Sequence, residues 1–275
     1  MTEIKVLVCD IDGTMIPYER NHVSTTLKKA ILTAKENGLE FLIATGRHYS
    51  YIHPSLFSDL HPDYVVTING ACFNKADGTI IQMFPFNEKD VLALREIALA
   101  NNIGLGFKFP NDIVSYANHD IFCTGYLAHK KEEFDALTEE FKHKILENNP
   151  EDDYHLKYGL PLGCFIIADE ALIETIKPLF PHLVFSWSFT NGFDIFSKET
   201  TKARSIESFL NLKGFTWENV IVFGDAENDL DMIKKAKIGV AMGNAKENVK
   251  KEADFVTTSV HDDGIVNALQ HFKLI

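Results

Sequence analysis

The apolar positions of this chain fall into short runs that stop abruptly at polar residues. Ile4 to Cys9 is the first, rich in β-branched residues and ending at Asp10-Ile11-Asp12-Gly13-Thr14. A continuous run of this length predicts a strand buried on both faces, as in a parallel sheet. Helical spacing follows at Leu27, Ala30, Ile31 and Ala34, with Ser24 placed to cap the helix and Gly38 to end it. Phe41 to Ala44 is the next strand and breaks at Thr45-Gly46-Arg47, and Tyr64 to Ile68 is stopped by Asn69-Gly70. The same signal returns late in the chain. Val220 to Phe223 runs into Gly224-Asp225, Ile238 to Ala241 into Met242-Gly243, and Phe255 to Thr257 closes the set.

Helical patterns between these strands predict crossover units and one parallel sheet. The fold class expected is therefore α/β, a doubly wound sheet whose two halves are separated in the chain. The middle, about 83–188, differs. It shows a helix after Asn87, a hairpin around Asn111-Asp112, strands at Cys164 to Ala168 and Leu183 to Phe185, and helices near Phe134 to Leu146 and Ala171 to Leu179. Aromatic residues are frequent there and no strand ends in a carboxylate cluster. This predicts an inserted α+β domain, with core segments at 1–82 and 189–275.

The chain has 275 residues, of which 45% are hydrophobic and 24% charged, a globular composition. Its net charge of −12 opposes binding to nucleic acid or to anionic membranes. No apolar run approaches the roughly 18 residues of a membrane span. The N-terminal residues lack the pattern of a signal peptide. The four cysteines, Cys9, Cys72, Cys123 and Cys164, form no Cys-x-x-Cys pair, so a reduced, cytoplasmic protein is expected.

Two acidic clusters carry the candidate chemistry, and both follow buried strands. Asp10 and Asp12 lie at i and i+2, on one face if the strand continues. They fit either a turn or a site for a metal, or for a nucleophile with an acid/base partner. An EF-hand is excluded, because its sixth and twelfth positions would be Met15 and Asn21. The second cluster is Gly224-Asp225-Ala226-Glu227-Asn228-Asp229. Carboxylates gathered on one sheet edge repel unless a cation intervenes, and a hard cation such as magnesium prefers oxygen ligands. Thr45-Gly46 offers a hydroxyl and backbone N–H groups to an anion, and Lys202 opens a helix opposite the acids. No Walker loop, dinucleotide fingerprint, Gly-x-Ser-x-Gly elbow or His-Glu-x-x-His is present.

Asp10-Ile11-Asp12-Gly13-Thr14 resembles the first motif of the haloacid dehalogenase (HAD) superfamily. Thr45-Gly46-Arg47 resembles the second, Lys202 the third, and Gly224 to Asp229 the fourth. The order is kept across the whole chain. An insertion between the second and third motifs is similar to that of the Cof-type subclass IIB phosphatases, as are Gly243-Asn244-Ala245 and Asp263-Gly264-Ile265 in the tail. Ala203 stands where the family usually has glycine, and Lys198 is a rival for the lysine role.

The resemblance implies a Rossmann-like HAD core with a cap that selects the substrate. It implies an Mg2+-dependent phosphatase of small phosphorylated metabolites of the sugar-phosphate type. Asp10 would be the nucleophile and Asp12 the acid/base, with Thr45 and Lys202 completing the catalytic set. Ile11, Thr45, Gly46, Arg47, Lys202 and Asn228 would hold phosphate. Asp10, the Asp12 carbonyl and Asp225 would hold the metal, and Asp229 a water on it. The alternative is a phosphotransferase or phosphomutase built on the same core. The pattern leaves the oligomeric state open, a monomer being compatible with it.

Overall fold

The computed structural model describes residues 3–18, 20, 22–128 and 145–275. In chain order its strands begin β1 (Val6–Cys9), β2 (Glu40–Ala44), β3 (Tyr64–Thr67), β4 (Cys72–Lys75), β5 (Ile80–Met83), β6 (Gly104–Lys108) and β7 (Ile113–Ala117). They continue as β8 (Ile145–Glu147), β9 (Gly163–Ile167), β10 (Leu183–Phe189), β11 (Gly192–Ser197), β12 (Val220–Gly224), β13 (Ile238–Ala241) and β14 (Phe255–Val256). The chain divides into two compact units. One comprises the residues up to Arg47, Ile52–Gln82 and Thr201–Ile275; the other comprises His48–Tyr51 and Met83–Thr200.

The first unit is built on a sheet of order β14-β13-β12-β1-β2-β3-β4-β5. From β14 to β3 the pairing is parallel, and β4 runs antiparallel to β3. Alternation along β1 explains why the strand reads as continuously apolar. Leu7 and Cys9 join one core with Phe41, Ile43, Ile221 and the helices Thr25–Glu36, Pro54–Leu60 and Gly264–His271. Val6 and Val8 join the opposite core with Leu42, Val66, Val222 and the helices Lys202–Lys213, Leu230–Lys235 and Glu247–Glu252. Both faces are covered, as parallel sheets require. Ser24 caps its helix as expected, its Oγ accepting from the Leu27 N–H at 3.0 Å. Strand order reverses between β1 and β12. This is the switch point where α/β sheets bind ligands.

The second unit is a separate sheet of order β10-β11-β9-β6-β7-β8. β6 and β7 form the expected antiparallel hairpin, and Asn87 caps the helix Glu88–Ala100 through its Asp90 N–H contact. This unit runs to Thr200 rather than to 188, because β11 pairs antiparallel with both β9 and β10. His48–Tyr51 also groups with it: a His48 ring nitrogen lies 2.7 Å from the Phe109 carbonyl oxygen. The helix expected near Phe134 to Leu146 lies outside the described residues except at its end. There Ile145–Glu147 is a strand, parallel to β7.

Leu42 is fully buried between the helices of one face and the neighbouring strands. Leu42→Ala should cost about 2–5 kcal/mol, the usual range for such truncations. Denaturant unfolding measures it, and a loss under about 1 kcal/mol would contradict the packing described.

Candidate active site

Three carboxylates meet at the switch point. Asp10 follows β1, and its N–H donates to the Phe223 carbonyl of β12 at 3.1 Å. Asp225 follows β12, and Asp229 closes the helical turn Glu227–Asp229. One oxygen from each of the three lies within 4.8 Å of the others, and all three residues are buried. Lys202 is the first residue of its helix, capped by the Thr201 hydroxyl. A cation at a helix N-terminus opposes the macrodipole, so local propensity does not place it there. The helix docks on the sheet through Ala203, Ile206, Phe209 and Leu210, and this packing carries the lysine to the strand ends. Its ammonium donates to Asp10 Oδ1 and to Asp229 Oδ1, both at 2.6 Å.

Asp229 is also a scaffold. Its Oδ2 accepts from the backbone N–H groups of Asp225 and Ala226, both at 3.0 Å. Asp225 is held differently. Thr14 donates to its Oδ1 at 2.9 Å and Tyr18 to its Oδ2 at 3.1 Å. Gly13 is required beside it: with φ at +80°, an added Cβ would stand 2.3 Å from Asp225 Oδ2.

Burial dominates the electrostatics. It pushes the Asp10 carboxyl well above the usual range; Lys202 opposes this, and the charges of Asp229, Asp225 and Asp12 add to it. Burial and the charge of Asp229 push Asp225 up to about 6, against its two hydroxyl donors and Lys202. Burial works against the Lys202 ammonium, but Asp10 and Asp229 outweigh it and hold the group above its ordinary value. With all three carboxylates ionised, one ammonium leaves two negative charges in excess. An all-oxygen donor set with that excess fits a hard divalent cation.

The remaining predicted residues line the same strand ends. Asp12 lies outside the carboxylate group, and Arg47 grips it with two bonds, Nε to Oδ2 at 2.9 Å and Nη2 to Oδ1 at 2.6 Å. Thr45 is buried, and its Oγ1 accepts from the Arg47 N–H at 3.1 Å. Ile11 is buried within the core beneath β1, and Gly46 lies against the Asn69 amide. Asn228 donates to Asn69 Oδ1 at 3.0 Å. Lys198, the rival, is exposed in the second unit and donates to the Pro181 carbonyl.

Sequence reasoning missed three contributors: Thr14, Tyr18 and Asn69. Asn-Gly marked only a turn. In the structure Ile68, Asn69 and Gly70 are consecutively left-handed, at φ +50°, +54° and +99°. For a β-branched residue such as Ile68 this is a true outlier. The turn ties the site together. Ile68 N–H donates to the Arg47 carbonyl and Asn69 N–H to the Thr45 carbonyl, while the Gly70 carbonyl accepts from Ser205 Oγ.

A doubly wound sheet whose switch point carries a lysine-bridged carboxylate group offers a ligand site of the α/β class. The model of the haloacid dehalogenase-like hydrolases matches residues 7–269, and the chain belongs to that family. A Streptococcus pyogenes serotype M6 protein, whose name pairs a phosphatase with a peptidyl-prolyl cis-trans isomerase, is 29% identical over 274 residues. The match covers 99% of this chain but 55% of that protein, so the chain spans about half its length. The 5-amino-6-(5-phospho-D-ribitylamino)uracil phosphatase YcsE of Bacillus subtilis strain 168 is 26% identical, with 99% of this chain and 97% of that one covered. A solved sugar phosphatase of HAD subclass IIB superposes with a TM-score of 0.80 at 26% identity, covering 98% of this chain and all of the other. The chain is an HAD-family phosphatase of the Cof type, a phosphoric monoester hydrolase.

The raised pKa of Asp225 has a stability consequence of definite sign. Its folded value of about 6 exceeds the 3.8 of an ordinary aspartate, so its contribution is fully present below pH 3.8 and is lost as pH rises through 6. In metal-free protein, Asp225→Asn should therefore raise stability at pH 8 by roughly 1–3 kcal/mol. The gain should vanish toward pH 4. Denaturant midpoints at the two pH values measure it, and a pH-independent difference would contradict the assignment.

Proposed function

We propose that the protein is an Mg2+-dependent phosphatase of small phosphorylated metabolites of the sugar-phosphate type, acting through an aspartyl-phosphate. The observation that carries this reading is the buried Lys202 ammonium at 2.6 Å from Asp10, inside a carboxylate group with two charges in excess. Asp10 attacks phosphorus in line, the P–O bond to the alcohol breaks, and water then hydrolyses the acyl phosphate on Asp10. Asp12 gives the departing oxygen its proton and later takes one from the water; in this structure Arg47 holds its ionised carboxylate. Lys202, the Thr45 hydroxyl, the N–H groups of Ile11 and Gly46, and Arg47 hold the phosphoryl oxygens. Asn228, steadied by Asn69, positions the phosphate or Lys202. Asp10, Asp225 and the Asp12 carbonyl would hold Mg2+, with Asp229 holding a water beside it. When bound, the ion neutralises the excess charge and polarises a phosphoryl oxygen.

The second unit takes the part of a specificity cap in this reading. The sugar-phosphate class is supported by the names of the subclass IIB sugar phosphatase and of the phosphoribityl phosphatase. A cytoplasmic location is supported by four buried, unbridged cysteines. Among the described residues no helix is long and apolar enough to cross a membrane.

Asp10→Asn should abolish turnover of p-nitrophenyl phosphate without unfolding the protein, and equal activity in that variant would sink the mechanism. Lys202→Met should lose several orders of magnitude in kcat/KM, whereas Lys198→Met should lose less than about tenfold. A crippling Lys198→Met would show that the wrong lysine has been assigned. Chelation of Mg2+ should abolish activity on a panel of sugar phosphates.

Asp12→Ala should slow phosphorylation of Asp10 by sugar phosphates more than by p-nitrophenyl phosphate, since nitrophenolate leaves with little protonation. Single-turnover rates reduced equally for both would assign Asp12 another role.

A further inference from the structure

Two kinds of side-chain donor hold the carboxylate group, and their division is uneven. The Lys202 ammonium bonds Asp10 and Asp229. Asp225 is instead held by two hydroxyls, Thr14 at Oδ1 and Tyr18 at Oδ2. A neutral hydroxyl orients a carboxylate without cancelling its charge. Each oxygen of an ionised carboxylate has about two acceptor sites, so one donor at each leaves both oxygens able to bind a cation. Two anchoring points also fix the carboxylate plane, and the Gly13 backbone closes against Oδ2. Thr14 is buried and belongs to the loop core, but Tyr18 is 69% exposed. Packing does little to place such a side chain. Its hydroxyl, reaching a carboxylate that is only 5% exposed, is what does so.

We propose that Tyr18 is a positioning residue for the divalent cation, its hydroxyl and that of Thr14 clamping Asp225 in the orientation that binds the metal. This rests on the reading of Asp225 as a ligand. Hydrogen-bonded partners of ligating carboxylates typically contribute 10–100-fold to metal affinity.

The test is titration of the metal-free full chain with Mg2+ by calorimetry. Tyr18→Phe, which keeps the ring and removes the hydroxyl, should weaken Mg2+ binding by about tenfold or more. Tyr18→Ala should weaken it by the same factor, since the ring is not the anchor. The melting temperature of both variants in chelator should match the parent, because an exposed ring contributes little to the core. The Mg2+ dependence of phosphatase activity should shift by the factor seen in calorimetry. An unchanged Mg2+ dissociation constant for Tyr18→Phe overturns the proposal. So does a lowered melting temperature in chelator with binding intact, which marks a purely structural role. Asp225→Asn separates the two levels: if it and the parent bind Mg2+ equally, Asp225 is not a ligand and that reading fails together with this one.

Discussion

The Lys202 ammonium, buried and 2.6 Å from both Asp10 and Asp229, is the contact on which the rest of the site depends. Carboxylates so close in a dry environment repel strongly, and their desolvation cost is repaid only by a cation with good geometry. Leaving one partner of such a group unpaired costs on the order of 3–5 kcal/mol. The demand propagates outward. It forces a cation onto a helix N-terminus, where the macrodipole is unfavourable, and so requires the apolar face of that helix to hold it against the sheet. It also explains why Asp229 spends its second oxygen on the backbone of Asp225 and Ala226, tying the fourth motif to the same point.

Compensation is deliberately incomplete. One ammonium serves three acids, and burial, with the charge of Asp229 added to it, raises the pKa of Asp225. A site balanced internally would have no use for a metal ion or for a charged substrate. The remaining charge is stability given up to function, a common feature of active sites. The left-handed Ile68-Asn69-Gly70 turn is a second such concession. Its backbone is unfavourable for isoleucine, yet its N–H groups and amide hold the loops carrying Thr45, Arg47 and Asn228.

Much of this was legible in the chain. β1, β2, β12 and β13 stood out because strands buried on both faces leave unbroken apolar runs, and their ends named Asp10, Thr45 and Asp225 directly. The Ser24 cap and the start of a helix after Asn87 were legible because capping is local. What escaped was pairing at a distance. Burial along β11 does not alternate, with Asp194 and Ser197 half-buried between buried pairs, and the insertion was expected to end early, at 188. The Arg47 grip on Asp12 joins residues on different loops, and the Tyr18 bond to Asp225 spans a sequence separation of 207. No periodicity encodes either. They follow from the switch point bringing loops together, which is visible only once strand order is known.

The register of β1 also has a temporal meaning. Its partner on one side, β2, lies close in sequence, but on the other side Val6 pairs with Val220. A ribosome adding about 5–20 residues per second needs on the order of 10–40 seconds to supply that second neighbour. During this interval one edge of β1 has no native strand to bond, and Asp10 has neither Asp225 nor Lys202 beside it. The second unit, with its own sheet and core, is synthesised within the same interval. Catalytic competence thus arrives late, with the last third of the chain. A nascent fragment holding only the first motif exposes an apolar strand edge, the kind of surface that chaperones bind and that aggregation recruits.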